Sequence, residues 1–216
     1  MAHIYLIRHG ETDYNLRNIV QGGGIDSDLN ETGHEQGKAF FNHYGHIDFH
    51  KIYCTELKRT RQTLALFAAQ GLAIEILPEM NEFGWGILEG AEGDEFVKAE
   101  FEKVLGAWRD GDLQARVPGG ESPLEAWTRV QTGIERVLRA TPADANILIC
   151  AHGRIMRVLL AQLSGYGLTQ MDLFPHQNTA LNLLTHIPSD FGAVTDLQMP
   201  WGRFHIHKLN DVSHLQ

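Results

Sequence analysis

Two apolar runs in this chain end in the same way. Residues 3–7 (HIYLI) lead into Arg8-His9-Gly10, and residues 146–151 (NILICA) lead into His152-Gly153. Short runs rich in β-branched and aromatic residues form strands. If both belong to one parallel sheet, their imidazoles stand together at the carboxyl edge, where α/β sheets bind ligands. Gly10 allows a sharp turn and a close backbone approach. A third basic group, Arg59, follows the strand-like residues 51–54 (KIYC) and lies near a helix start, whose free N–H groups suit an anion. Two guanidinium groups and two imidazoles suit a phosphoryl group, because arginine forks match its oxygens and imidazole can attack phosphorus. Alone, each element reads as a loop histidine or a solvated arginine. The repeated strand–His–Gly form, with Arg59 between, sets this chain apart.

The remaining sequence alternates in the same rhythm. Residues 32–44 read as a helix capped by Asn30 or Thr32, residues 57–70 as a second, and residues 154–163 as a third. Residues 74–77, 179–187 and 203–209 read as strands. This order predicts an α/β fold, a three-layer sandwich with a mostly parallel central sheet and helices on both faces. Between Pro78 and Asn146 no strand is evident. A Gly-rich stretch, residues 84–93, precedes two amphipathic helices, one carrying Val97, Phe101, Val104, Leu105 and Trp108, the other Trp127, Val130, Ile134, Val137 and Leu138. The turn between them reads Val-Pro-Gly-Gly-Glu-Ser over residues 117–122. The expectation is a single domain over 1–216, with a mostly helical insertion at about 79–125 that acts as a lid over the sheet edge.

Composition narrows the function. The chain is 43% hydrophobic with a formal net charge of −9, so its surface as a whole repels nucleic acid and acidic membranes. An anionic substrate needs a local basic pocket. Cys54 and Cys150 sit in apolar strands and read as buried thiols. Neither is followed by an arginine at the spacing of a cysteine phosphatase loop, where Thr60 and Met156 stand instead. His43, His46 and His50, with Asp48 among them, lack the spacing of a metal motif, and His205 and His207 lack a third ligand. No metal and no cofactor are expected. Lys98, Lys103, Arg109 and Arg116 alternate with acids and read as a solvated face. With no leader pattern and no long apolar window, the expected location is cytoplasmic. A monomer and a homodimer are both left open.

In order and spacing, these motifs resemble the histidine phosphatase superfamily, in its phosphoglycerate-mutase-like branch. Arg8 to Thr12 resembles the RHGET signature, and Asn15 its following asparagine. Gln21-Gly22, Asp26 to Gly33, Leu57 to Thr63, Met80 to Gly90, Pro118 to Ser122, Ala151-His152-Gly153 and Asn178 resemble the family's later segments. The resemblance implies His9 as nucleophile, assisted by Arg8, Arg59 and His152, with Glu82 as proton donor and Asn15, Gln21, Gly22 and Gly153 at the phosphate. Without it, Glu82 would read as a surface acid before a Gly-rich loop. Asp28 replaces a usual proline, Ile19 a usual arginine and Leu88 a usual tryptophan, and the loop of residues 21–26 is one residue longer than common. These departures bear on the outer pocket and hence on the substrate.

The implied function is hydrolysis of small-molecule phosphomonoesters through a phosphohistidine on His9. His9 must attack as neutral imidazole, and positive charge on Arg8, Arg59 and a cationic His152 would keep it so. The ring also needs an orienting hydrogen bond, whose source the sequence does not reveal. One rival is a mutase, which returns the phosphoryl group to an organic acceptor. Another is a non-enzymatic phosphate-binding module on the same fold. The short outline favours the phosphatase over the mutase, and the complete set of catalytic groups speaks against the inactive module.

Overall fold

The computed structural model describes residues 1–188 and 202–216. Its strands are β1 (Ala2–Arg8), β2 (Phe49–Cys54), β3 (Ile74–Ile76), β4 (Asn146–Ala151), β5 (Leu181–Ile187) and β6 (Arg203–Asp211). Its helices are α1 (Asp13–Leu16), α2 (Glu31–Tyr44), α3 (Lys58–Thr63), α4 (Ala65–Ala69), α5 (Glu95–Arg109), α6 (Pro123–Arg139) and α7 (Gly153–Leu163). The six strands form one sheet in the order β3-β2-β4-β1-β5-β6. Its pairings from β3 through β1 are parallel, while β5 runs antiparallel to β1 and to β6. The expected α/β sandwich is therefore present, with a mixed sheet.

Two apolar layers explain why the central strands read as continuous hydrophobic runs. On one face, Ile4, Leu6, Ile147 and Ile149 pack against α6 and α7 through Val130, Ile134, Val137, Ile155 and Leu159. On the other, Ile7, Ile52, Leu148 and Cys150 meet Phe40 and Tyr44 of α2 and Phe67 of α4. A strand covered on both sides has no polar face, so β4 is buried from Ile147 to Ala151. Each large apolar side chain buried there contributes about 1.5–3 kcal/mol.

The helix ends follow local chemistry. Asn30 caps α2 by accepting from the Gly33 N–H at 2.9 Å. Ser122 and Glu125 form a capping box at the start of α6, with Pro123 in its first turn. The helix expected over 57–70 is two short ones, α3 and α4, meeting at Leu64, whose side chain is fully buried. Between β3 and β4 the described chain contains 3-10 turns at Pro78–Met80 and Gly86–Leu88, then α5 and α6. No helix among the described residues is long and apolar enough to cross a membrane.

Candidate active site

The site begins with the register of the two central strands. Arg8 at the end of β1 pairs with Ala151 at the end of β4, and the His9 N–H donates to the Ala151 carbonyl at 3.0 Å. The next residue on each strand is a histidine, so the two rings lie side by side with centroids 5.3 Å apart. Both are buried.

The His9 orienting bond comes from its own turn: Nδ1–H donates to the Gly10 carbonyl at 2.7 Å. This fixes the proton on Nδ1 and leaves the Nε2 lone pair free. Gly10 is required by a close approach, since a Cβ there would lie 2.5 Å from the Gly33 carbonyl oxygen. Burial first, then the charges of Arg8 and Arg59, hold His9 well below the ordinary imidazole range, although the bond to Gly10 pulls the other way.

His152 departs from the cationic form expected. Arg59 Nε–H donates to its Nδ1 at 3.2 Å, so that nitrogen must be unprotonated. Nε2–H then donates to Thr55 Oγ1 at 2.9 Å. Burial, followed by the Arg59 charge, holds this ring neutral as well. A guanidinium is always a donor, so its neighbour becomes an acceptor; this is why a histidine packed against arginine cannot be a cation here.

The two arginines remain charged, each lowered by burial to about 10. Arg59 is fully buried, and its Nη1 and Nη2 donate to the carbonyls of Ile25 at 2.6 Å and Gly22 at 3.4 Å. Arg8 Nη1 donates to the His176 carbonyl at 2.8 Å, while its buried Nε has no partner among the described residues. Gln21 accepts from Thr12 Oγ1 at 3.0 Å and donates to Ser27. Asn15 Oδ1 accepts from Thr12 N–H and from Asn178 Nδ2, and Asn178 also donates to the His9 carbonyl at 2.9 Å.

Glu82 is buried and performs a task its sequence position does not suggest. The residue preceding α7 is His152, whose side chain does not cap the helix. Glu82 takes that place: Oε1 accepts from the N–H groups of Phe83 at 2.8 Å and Ile155 at 3.2 Å, and Oε2 from Arg154 N–H at 3.3 Å. Its segment is fixed by Arg129 of α6. That guanidinium donates to the carbonyls of Glu79, Asn81 and Glu82 and pairs with both oxygens of Glu121.

A cleft of about 440 Å³ opens onto these groups. Arg8, Asn15, Gln21, Glu82, Gly153 and Asn178 line it, with Trp85 and Phe101 as an apolar wall. His9 does not line it but is tied to its wall through the Asn178 bond; Gly22 and His152 are chain neighbours of the lining residues Gln21 and Gly153, and Arg59 bonds to both Gly22 and His152. Lys98, Lys103 and Arg109 are exposed on α5 and do not line it. His43, His46 and His50 are exposed, and no cluster among the described residues is arranged to hold a metal ion. Sequence reasoning missed Thr55, Arg129 and His176. Thr55 could have been suspected from its place after the strand of residues 51–54; the other two carry no local signal.

The sheet order and the two strand-end histidines define a class of α/β protein whose central strand pair sets two buried imidazoles side by side next to a polar cleft. The chain belongs to the histidine phosphatase superfamily, branch 1, whose family model matches residues 4–196. It is 29% identical over 219 residues to "Probable phosphoglycerate mutase GpmB" of Erwinia tasmaniensis, covering 100% of this chain and 96% of that one. Among solved structures it is similar to Bacillus stearothermophilus YhfR, with a TM-score of 0.82 at 22% identity over 100% of both chains. It is also similar to a mycobacterial glucosyl-3-phosphoglycerate phosphatase, with a TM-score of 0.79 at 24% identity over 96% of this chain and 98% of that one. At these identities the two structures speak for the fold.

Proposed function

We propose that this chain is a phosphatase that hydrolyses small-molecule phosphomonoesters through a phosphohistidine on His9. The observation that carries the reading is the Nδ1–H bond from His9 to the Gly10 carbonyl, which leaves a neutral ring with Nε2 unbonded among charged arginines. In the first step His9 Nε2 bonds to phosphorus and the ester P–O bond breaks. Charge spreads over the equatorial oxygens, where Arg8 and Arg59 stabilise it, with Asn15, Gln21 and the Gly22 and Gly153 backbone shaping the phosphate site. Glu82 gives a proton to the leaving oxygen. In the second step water attacks phosphorus, Glu82 takes its proton, and the N–P bond breaks. His152, neutral and tied to Arg59, holds that guanidinium in place and lines the phosphoryl position.

The same reading makes residues 1–216 one domain with 79–125 as its lid, since Glu82, Trp85 and Phe101 all reach the cleft from that insertion. It needs neither metal nor organic cofactor, acts in the cytoplasm and takes a small phosphorylated molecule as its partner, not nucleic acid or a membrane. The mutase-named relative supports a second reading, in which the phosphoryl group returns to an organic hydroxyl. Phosphohistidine survives base and is lost in acid. Rapid quenching into base during turnover should therefore trap label on wild type and none on His9→Ala, with turnover falling by about 10³-fold or more. Label on another residue would refute the assignment. Label recovered as free phosphate supports the phosphatase, and label in a second ester supports the mutase.

A further inference from the structure

Each of the two arginines beside His9 donates to an imidazole of its own. For Arg59 it is His152. For Arg8 it is His176, which no step above uses. Arg8 Nη1 carries two hydrogens, and it donates to the His176 carbonyl at 2.8 Å and to Nδ1 of the same residue's ring at 3.3 Å. That Nδ1 must then be unprotonated, with the proton on Nε2, the opposite tautomer to that of His9. The ring also lies against the start of α7, where a Cβ on Gly153 would come within 3.2 Å of the same Nδ1. One ring thus meets the residue before the first catalytic histidine and the residue after the second.

Arg8 needs such a hold. It lines the cleft, and together with His176 and Asn178 it also lines a second hollow of about 520 Å³, so its side chain borders two open spaces. A single bond to a backbone carbonyl leaves a long side chain free to turn about it, and an arginine that turns loses its fork match to phosphoryl oxygens. Among the described residues no carboxylate pairs with Arg8. An acid there would fix the guanidinium but offset the charge that the phosphoryl oxygens require. An imidazole fixes it and offsets nothing, provided it stays neutral. Burial first, and then the charge of Arg8, lower His176 to about 3, so the ring accepts from Arg8 at any ordinary pH.

We propose that His176 is the positioning residue of Arg8, holding its guanidinium through Nδ1 in the direction that meets the phosphoryl oxygens. This rests on the phosphatase reading above. Two variants separate the bond from the packing. His176→Phe keeps a ring on Gly153 and removes the acceptor. His176→Asn removes the ring and restores an acceptor, since its Oδ1 takes the place of Nδ1. With nitrophenyl phosphate, His176→Phe should lose about 10-fold in kcat/KM, the size expected for one hydrogen bond to a charged group. His176→Asn should recover to within about 3-fold of wild type, although it unfolds in less urea than His176→Phe, so that the order of activity opposes the order of stability. In an Arg8→Lys background, whose ammonium lacks the fork, His176→Phe should cost less than about 3-fold.

A wild-type rate in His176→Phe would overturn the proposal. So would a His176→Asn protein no faster than His176→Phe, which would make the ring a spacer against Gly153. An undiminished loss in the Arg8→Lys background would overturn it too, because the effect would not pass through Arg8. If wild type leaves nitrophenyl phosphate intact, the phosphatase reading itself fails. Wild type and the two His176 variants are then compared by calorimetry with inorganic phosphate: affinity weakened about 10-fold in His176→Phe and recovered in His176→Asn keeps the pairing, and equal affinities remove it.

Discussion

Lowering the pH from 7.5 to 5.5 should cost this protein about 5 kcal/mol of stability. Four histidines are held below the ordinary range in the folded state, by burial first in each case: His9 and His152 well below it, His176 at about 3 and His214 at about 4. In the unfolded chain each titrates near 6.5. As pH falls through 6.5 the unfolded state takes up protons that the folded state refuses. Their contribution is therefore complete above 6.5 and is lost below it. At pH 5.5 an unfolded histidine is about nine-tenths protonated, which costs the folded state roughly 1.4 kcal/mol per group, or about 5 kcal/mol for the four. That is comparable with the whole stability of many domains. Urea unfolding followed by the fluorescence of buried Trp85 and Trp108 measures it. His214→Phe should remove about a quarter of the loss while keeping the ring packing against Phe40. A change below about 1.5 kcal/mol over this interval, the size expected of one histidine, would refute the reasoning.

Three further outcomes are expected. Glu82→Gln should lose far more rate on alkyl phosphates than on nitrophenyl phosphate, whose leaving group hardly needs a proton; equal losses would remove Glu82 from the acid role. Arg129→Met leaves Glu121 unpaired and three carbonyls without their donor, and should cost about 3–5 kcal/mol in denaturant unfolding; a loss below 1 kcal/mol would show that the acid segment holds itself. Incubation with a chelator should leave nitrophenyl phosphate turnover intact, and loss restored by a divalent ion would count against a site whose cations are Arg8 and Arg59.

The sequence made the centre of this site legible and its supports obscure. β1 and β4 stand out because strands covered on both faces carry unbroken apolar runs, and the histidines follow them directly. The direction of β5 is not legible, because pairing across a sheet depends on distant partners. Leu64 looked like one more apolar residue of a continuous helix, yet it is where α3 and α4 meet. The expected charge on His152 was wrong for a local reason: the Arg59 Nε–H bond needs an acceptor, and spacing along the chain cannot show which atom faces which. Glu82 was found through family likeness, but its hold on the start of α7 was not, since nothing in the sequence marks His152 as a residue that leaves its own helix uncapped.

The order of strands in the sheet also governs when the site can come into existence. β4 lies between β2 and β1, although β1, β2 and β3 are all synthesised before it. A chain still attached to the ribosome thus holds the first histidine and the buried arginine on either side of a vacant lane. Residues 77–145 take roughly 3–14 s to make at usual elongation rates, and during that interval His9 has no companion ring. A product cut short before Asn146 would expose the inner edges of β1 and β2, which invites aggregation and leaves no partly working catalyst.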